Sequence, residues 1–257
     1  MIVCADIGNT EIMIGGFEGD ELEFTLCLSA LVGTTADEYA LKINSALSLY
    51  GIDRAAVTGA IIASVVPRLT SAVFNALEAL FGVEPAVVGP GIRTGIGIRC
   101  DIPSSVGADL ICAAVAAHGI FSGAALIVDV GTATKITAID AKGAFCGVSI
   151  APGVMMGLSA LSASAAQLPE VSLERPSAAI AKNTEDAMRS GVIYGHAAML
   201  DGMIDRIFGE LGGEIPVIAT GSLAYSVIPF CDHEMDFDEN LVLRGLNILY
   251  NKNRKNN

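Results

Sequence analysis

Two short segments place a carboxylate, a glycine and small polar side chains just beyond an apolar run. Asp6-Ile7-Gly8-Asn9-Thr10 follows Met1–Ala5, and Asp129-Val130-Gly131-Thr132-Ala133-Thr134 follows Ala124–Val128. Glycine permits a tight turn and a close approach of backbone N–H groups to a ligand. Asn and Thr add hydrogen-bonding capacity without bulk. An aspartate at a strand end can hold a hydrated cation or orient a phosphate-bound metal. Two such turns facing each other would grip the phosphates of a nucleotide. Asp, Gly and Asn also build ordinary hairpin turns, so the matched pair, rather than either turn alone, carries the argument. There is no GxxxxGK[ST] segment, and neither turn leads into a helix, which excludes the P-loop and the Rossmann fingerprint.

Three further segments carry candidate chemistry. In Pro103-Ser104-Ser105-Val106-Gly107-Ala108-Asp109-Leu110, Ser104 or Ser105 reads as a helix N-cap. Asp109 then lies in the first turn, where a carboxylate complements the helix dipole. The same carboxylate could act as a general base toward a substrate hydroxyl. In Lys182-Asn183-Thr184-Glu185, Thr184 reads as an N-cap, or as part of a helix start that faces a substrate. Ile218-Ala219-Thr220-Gly221-Ser222 ends a strand in small residues suited to packing against a nucleotide.

The elements that must position these residues alternate between strands and helices. Met1–Ala5, Glu11–Phe17, Ala60–Val65, Pro85–Val88, Ala124–Val130, Lys135–Ile139 and Ile215–Ala219 read as strands. Thr35–Tyr50 reads as a helix with a Thr35/Glu38 capping box and Gly51 as its stop. Pro67–Phe81 is a helix with proline at its start and Gly82 beyond its end. Ser105–Ala117, stopped by Gly119, Thr184–Leu211 and Glu239–Tyr250 complete the helices, and the tail from Asn251 reads as frayed. Strand–helix alternation predicts an α/β architecture. The echo of the two Asp-x-Gly segments predicts two related halves, 1–119 and 120–257.

Composition narrows the function. The 257 residues include 28 acidic and 15 basic side chains, for a net charge of −13. That balance excludes non-specific nucleic-acid binding, which needs Lys and Arg to neutralise phosphates, and docking to an anionic membrane. With 52% hydrophobic residues the chain is no disordered segment. Its most apolar stretch, Cys112 to Val128, is interrupted by His118, Gly119 and Gly123, so no membrane helix is expected. The start has no basic leader, and the expected location is the cytoplasm. The six cysteines show no CxxC spacing and read as buried free thiols rather than zinc ligands.

Assembled, these segments resemble the type III pantothenate kinases, members of the actin/hexokinase-like phosphotransferase superfamily. The resemblance runs over nearly the whole chain. It includes DIGNT at Asp6–Thr10, ADEYA at Ala36–Ala40, SVVPRLT at Ser64–Thr70, VVGPGIRTG at Val87–Gly95 and VGAD at Val106–Asp109. It continues with DVGTAT at Asp129–Thr134, IAPG at Ile150–Gly153, QLPEV at Gln167–Val171, NTEDAMRSGVIYG at Asn183–Gly195 and ATGS at Ala219–Ser222.

The resemblance implies duplicated ribonuclease-H-like domains with a cleft between them, a homodimer, and phosphorylation of pantothenate to 4'-phosphopantothenate, the first step of coenzyme A biosynthesis. It implies ATP, a divalent metal such as Mg, and a monovalent cation, K or NH4. Asp6, Ile7, Gly8, Asn9, Thr10, Glu11, Ile12 and Met13 would line the ATP phosphates, with Gly131, Thr132 and Gly221 also at ATP. Asp6 would reach the divalent ion through the phosphates, Asp129 would help hold the monovalent cation, and Asp109 would accept the hydroxyl proton. Cys100, Gly107, Ala108, Asp109, Leu110 and Thr184 would lie at pantothenate.

Several positions depart from the family pattern. GADR reads Gly107-Ala108-Asp109-Leu110, and Tyr-Asp-Asn-Pro reads Cys100-Asp101-Ile102-Pro103. Loss of one charge-assisted contact of ~1.5–3 kcal/mol would weaken substrate binding by about 10–150-fold. The family's Gly-Gly before IAPG is reduced to Gly147-Val148, and Ala181 and Ser222 each replace a family glycine. These changes fall mostly on the pantothenate side. They leave open impaired pantothenate phosphorylation, a kinase of a different small hydroxylated substrate, and a non-catalytic or regulatory homologue. The family's second Thr after DxGTA is Lys135. Its ammonium group could replace the monovalent cation at Asp129, or point to solvent from an alternating strand.

Overall fold

The computed structural model describes residues 1–165 and 167–254. The chain forms two compact units, Met1–Gly119 together with the segment from Leu241 onward, and Ile120–Asn240. The last helix thus belongs to the first unit, whereas a division of the sequence at residues 119 and 120 assigns it to the second half.

The first unit is built on the strands β1 (Ile2–Ile7), β2 (Glu11–Glu18), β3 (Glu21–Ser29), β4 (Gly59–Ser64) and β5 (Ala86–Val87), in the sheet order β3-β2-β1-β4-β5. β1 and β4 are parallel, while the β1–β2 and β2–β3 pairs are antiparallel. Its helices are α1 (Ala36–Leu49), α2 (Pro67–Phe81), α3 (Ala108–Phe121) and α6 (Leu241–Asn253). The core combines Val3, Ala5 and Ile7 of β1 with Tyr39, Ile43 and Leu47 of α1 and Leu69, Val73 and Leu77 of α2. The helical spacing of those α1 and α2 residues turns one face of each helix inward.

The second unit repeats the plan. Its strands are β6 (Ala125–Val130), β7 (Ala133–Ile139), β8 (Phe145–Pro152), β9 (Val217–Thr220) and β10 (Asp236–Phe237), in the order β10-β9-β6-β7-β8. β6 pairs antiparallel with β7 and parallel with β9, as β1 does with β2 and β4. The helices are α4 (Val154–Ser164) and α5 (Thr184–Leu211). Leu126, Val128 and Val130 pack with Ala197, Leu200 and Ile204 of α5 in the core.

Local sequence explains most boundaries. Thr35 caps α1 and Glu38 returns the bond, so the capping box is present. α2 opens on Pro67 and closes on the left-handed Gly82. Other expectations are corrected. Pro103–Ser105 is a short 3-10 turn, and the Ser105 hydroxyl donates to Ile102 O, so neither Ser104 nor Ser105 caps α3. α3 runs through Gly119 to Phe121, because one glycine costs only about 1 kcal/mol in a helix held by packing. Asn183, not Thr184, caps α5 by accepting from the Asp186 N–H. β3, β8 and α4 were not anticipated. Among the tail residues, Asn251–Asn253 are helical, and the Asn253 side chain bonds both the N–H and the C=O of Arg93; residues 255–257 lie outside the described residues. Only Cys4 and Cys112 of the six free thiols are buried, which corrects the expectation of six. No helix among the described residues is long and apolar enough to cross a membrane.

Candidate active site

The first hairpin closes where Ile7 pairs with Ile12 and the Gly8 N–H donates to Glu11 O. Asn9 and Thr10 stand exposed at the tip. A Cβ on Gly8 would come 3.1 Å from Glu11 O, a tight contact that the glycine avoids. Its N–H is spent on the turn, and the same holds for Gly131, whose N–H donates to Ala133 O. The glycine amides therefore shape the turns rather than reach toward a ligand. Ile7 and Ile12 are fully buried, so any contact they make with phosphate is through backbone atoms.

Asp6 is the last polar side chain of β1, half-buried, opposite Met13. Asp109 occupies the first turn of α3, where a carboxylate complements the helix dipole. One group shows that these two carboxylates share a neighbourhood. Burial pushes the Cys112 thiol well above its usual range, and the charges of Asp6 and then Asp109 push it further. β1 and α3 thus bring the expected phosphate-side carboxylate and the expected base around a single buried thiol. A Cβ on Gly107 would collide with Asp109 Oδ1, so Gly107 leaves room for that carboxylate. Ala108 is half-buried beside it, and Cys100 is half-exposed in the chain ahead of the 3-10 turn. Leu110 is only 8% exposed and turns into the core. Arg93 and Arg99, basic residues of the segment ahead of that turn, are exposed.

In the second unit, Asp129 and Lys135 are directly opposed across the β6–β7 pair. Lys135 Nζ lies 2.6 Å from Asp129 Oδ2. Gly221, at φ +97°, closes over the other side, because a Cβ there would stand 2.6 Å from Asp129 Oδ1. A Cβ on Gly153 would strike the carbonyls of Gly131 and Thr132, so the start of α4 rests on the turn. Thr132 is exposed at its tip. Behind it, Thr134 Oγ1 and His196 Nε2 are 2.7 Å apart. Gly153 and the Thr134–His196 pair were missed as site residues; the IAPG segment was the one available signal for the first. Thr184 is exposed at the start of α5 and lines a pocket with Gln167, Pro169, Asn183 and Arg189.

These residues suit phosphate chemistry. Among the described residues no three His, Cys, Asp or Glu side chains form a metal cluster. Asp6, half-buried at the end of β1, instead fits a magnesium ion carried by phosphates, which takes one or two carboxylates rather than a full protein cage.

Comparison with known proteins agrees with this chemistry. A family model described as type III pantothenate kinase matches residues 2–206. The type III pantothenate kinase of Geotalea daltonii is 42% identical over 99% of this chain and all of the relative. That of Moorella thermoacetica is 40% identical over 98% of this chain and all of the relative. In fold, the chain is similar to component A of (R)-2-hydroxyglutaryl-CoA dehydratase from Acidaminococcus fermentans, with TM-score 0.56, 16% identity and coverage of 97% and 96% of the two chains. The repeated five-stranded sheets are those of duplicated ribonuclease-H-like domains, and the chain belongs to the type III pantothenate kinase family.

Proposed function

We propose that this chain transfers the γ-phosphoryl group of ATP to the primary hydroxyl of pantothenate, giving 4'-phosphopantothenate. The observation that carries the reading is the match to type III pantothenate kinases along nearly the whole chain, at 42% and 40% identity.

Asp109 orients the substrate hydroxyl toward the γ-phosphorus and accepts its proton as the new P–O bond forms and the bond to the bridging oxygen of the departing ADP breaks. Gly107 keeps the space in which the carboxylate works. Asp6–Met13 form the hairpin that serves the phosphates, with Asn9 and Thr10 exposed at its tip, and Thr132, on the turn that Gly131 shapes, serves ATP together with Gly221. When bound, a divalent ion offsets the charge that develops on the transferring oxygens. Asp6 contributes oxygen ligands suited to such an ion. Cys100, Gly107, Ala108 and Thr184 belong to the pantothenate side of this scheme, and the enzyme works as a cytoplasmic homodimer. The exposed Val148 and Ile150 of β8, with Met155, Met156 and Leu161 of α4, support self-association.

Leu110 favours a second reading, a kinase of another small hydroxylated substrate. A core-facing leucine offers no charged donors to a substrate carboxylate. An ADP-release assay with and without pantothenate tests the first reading. Release only in the presence of pantothenate is expected. Release that ignores pantothenate, or no release from folded chain, contradicts it.

A further inference from the structure

Asp129 carries a cation supplied by the chain itself. Residues directly opposed in an antiparallel pair project from the same face of the sheet, and Asp129 and Lys135 are so opposed. The 2.6 Å separation is a full ion pair. Its side chains are 18% and 20% exposed, so the pair is largely withdrawn from water and differs from the screened surface pairs that contribute little. Gly221 covers the other carboxylate oxygen. A potassium ion on Oδ2 would have to share that oxygen with an ammonium group already in place, and like charges at such distances repel strongly in a partly desolvated site. The residues present do not fit an added monovalent cation on that oxygen. In the first hairpin the residue directly opposed to Asp6 is Met13.

We propose that the Lys135 ammonium takes the place of a monovalent cation at Asp129, so that ATP binds without added potassium or ammonium. The proposal rests on the kinase reading above. It concerns the charge beside ATP, and it leaves the divalent ion and the proton acceptor as described. A tethered cation is present at every turnover whatever the salt composition, whereas a diffusible one is bound according to its concentration.

The test is calorimetric titration of the full chain with MgATP. One buffer contains tetramethylammonium as the only monovalent salt cation, and the other contains potassium at equal ionic strength. Wild-type affinity is expected to agree within about twofold between the buffers. Lys135→Thr is expected to bind ATP about tenfold or more weakly without potassium and to recover when potassium is supplied. Lys135→Gln provides a second variant, and a thermal melt confirms that each is folded. The proposal is overturned if wild-type affinity rises about tenfold with potassium. It is also overturned if both folded variants match the wild type in the potassium-free buffer. Folded wild-type chain that binds no ATP in either buffer overturns the kinase reading and this proposal together. Potassium-dependent binding overturns the proposal alone.

Discussion

Asp109 stands at the start of α3 with Gly107 making room for its carboxylate, and Cys112 one turn later reports its nearness to Asp6. A proton acceptor placed this way contributes typically 10²–10⁴-fold to a transfer step. Asp109→Asn should therefore lower kcat on pantothenate by about 100-fold or more while ATP affinity stays within about twofold. Steady-state kinetics with a separate binding titration check this, and an unchanged kcat would remove Asp109 from the chemistry. The places of Asp6, Asp109 and Asp129 in the fold were legible in the sequence, because each lies two residues from a glycine at a predicted strand end or helix start. The direction of Lys135 was not legible. It depends on turn length: three residues, Gly131–Ala133, separate the paired Val130 and Thr134, whereas four, Gly8–Glu11, separate Ile7 and Ile12. That one-residue difference sets lysine opposite Asp129 and methionine opposite Asp6. Thr184 and Ser105 were misplaced as caps because several neighbouring polar residues could fill the role, and only backbone geometry selects among them.

At the level of elements, glycines hold the second site together. Gly221 has a left-handed backbone and lies against Asp129 and Val130, so Gly221→Ala should cost about 1–3 kcal/mol and weaken ATP binding as well. Gly245 of α6 lies against the Cys112 carbonyl of α3, and Gly245→Ala should destabilise the first unit by a similar ~1–3 kcal/mol without that separate effect on ATP affinity. Chemical denaturation and nucleotide titration on the same preparations separate the two cases. His196 adds a pH dependence. Burial holds its pKa below the ordinary value of 6.5, so the unfolded chain takes up this proton first. The associated stability is present above that value and is lost as pH falls through it toward the lowered folded value. The thermal midpoint should fall from neutral pH to about pH 5, and His196→Gln should flatten that slope. An equal slope in the variant would rule His196 out as the source.

The elements missed in the sequence have physical reasons. β8 exposes Val148 and Ile150, so its apolar residues do not mark a buried face. α4 buries only Val154 and Leu158 and exposes Met155 and Met156, which erases the usual stripe. β3 does alternate, with Phe24 and Leu26 buried, but it follows β2 after only two turn residues and was hidden in that run.

Across the whole chain, the strand order β3-β2-β1-β4-β5 recurs as β8-β7-β6-β9-β10. The two Asp-x-Gly segments revealed this repetition because they mark the same β1–β2 and β6–β7 corners. The place of α6 was not legible. It follows β10 in sequence but packs with the first unit, and only long-range contacts such as Asn247 Nδ2 to Gly19 O show that. The net charge of −13 bears on the regulatory alternative. With 15 basic against 28 acidic side chains, the chain should show no measurable duplex DNA binding at physiological salt by fluorescence anisotropy. Saturable binding under those conditions would revive that alternative.

The identity of the phosphorylated product tests pantothenate phosphorylation most directly. Purified chain supplied with MgATP and pantothenate, followed by phosphorus NMR and mass spectrometry, should yield ADP and 4'-phosphopantothenate in equal amounts, with the product absent for Asp109→Asn over the same period. Phosphate appearing on water or on another hydroxy acid in preference to pantothenate, or no product from folded chain, would contradict it.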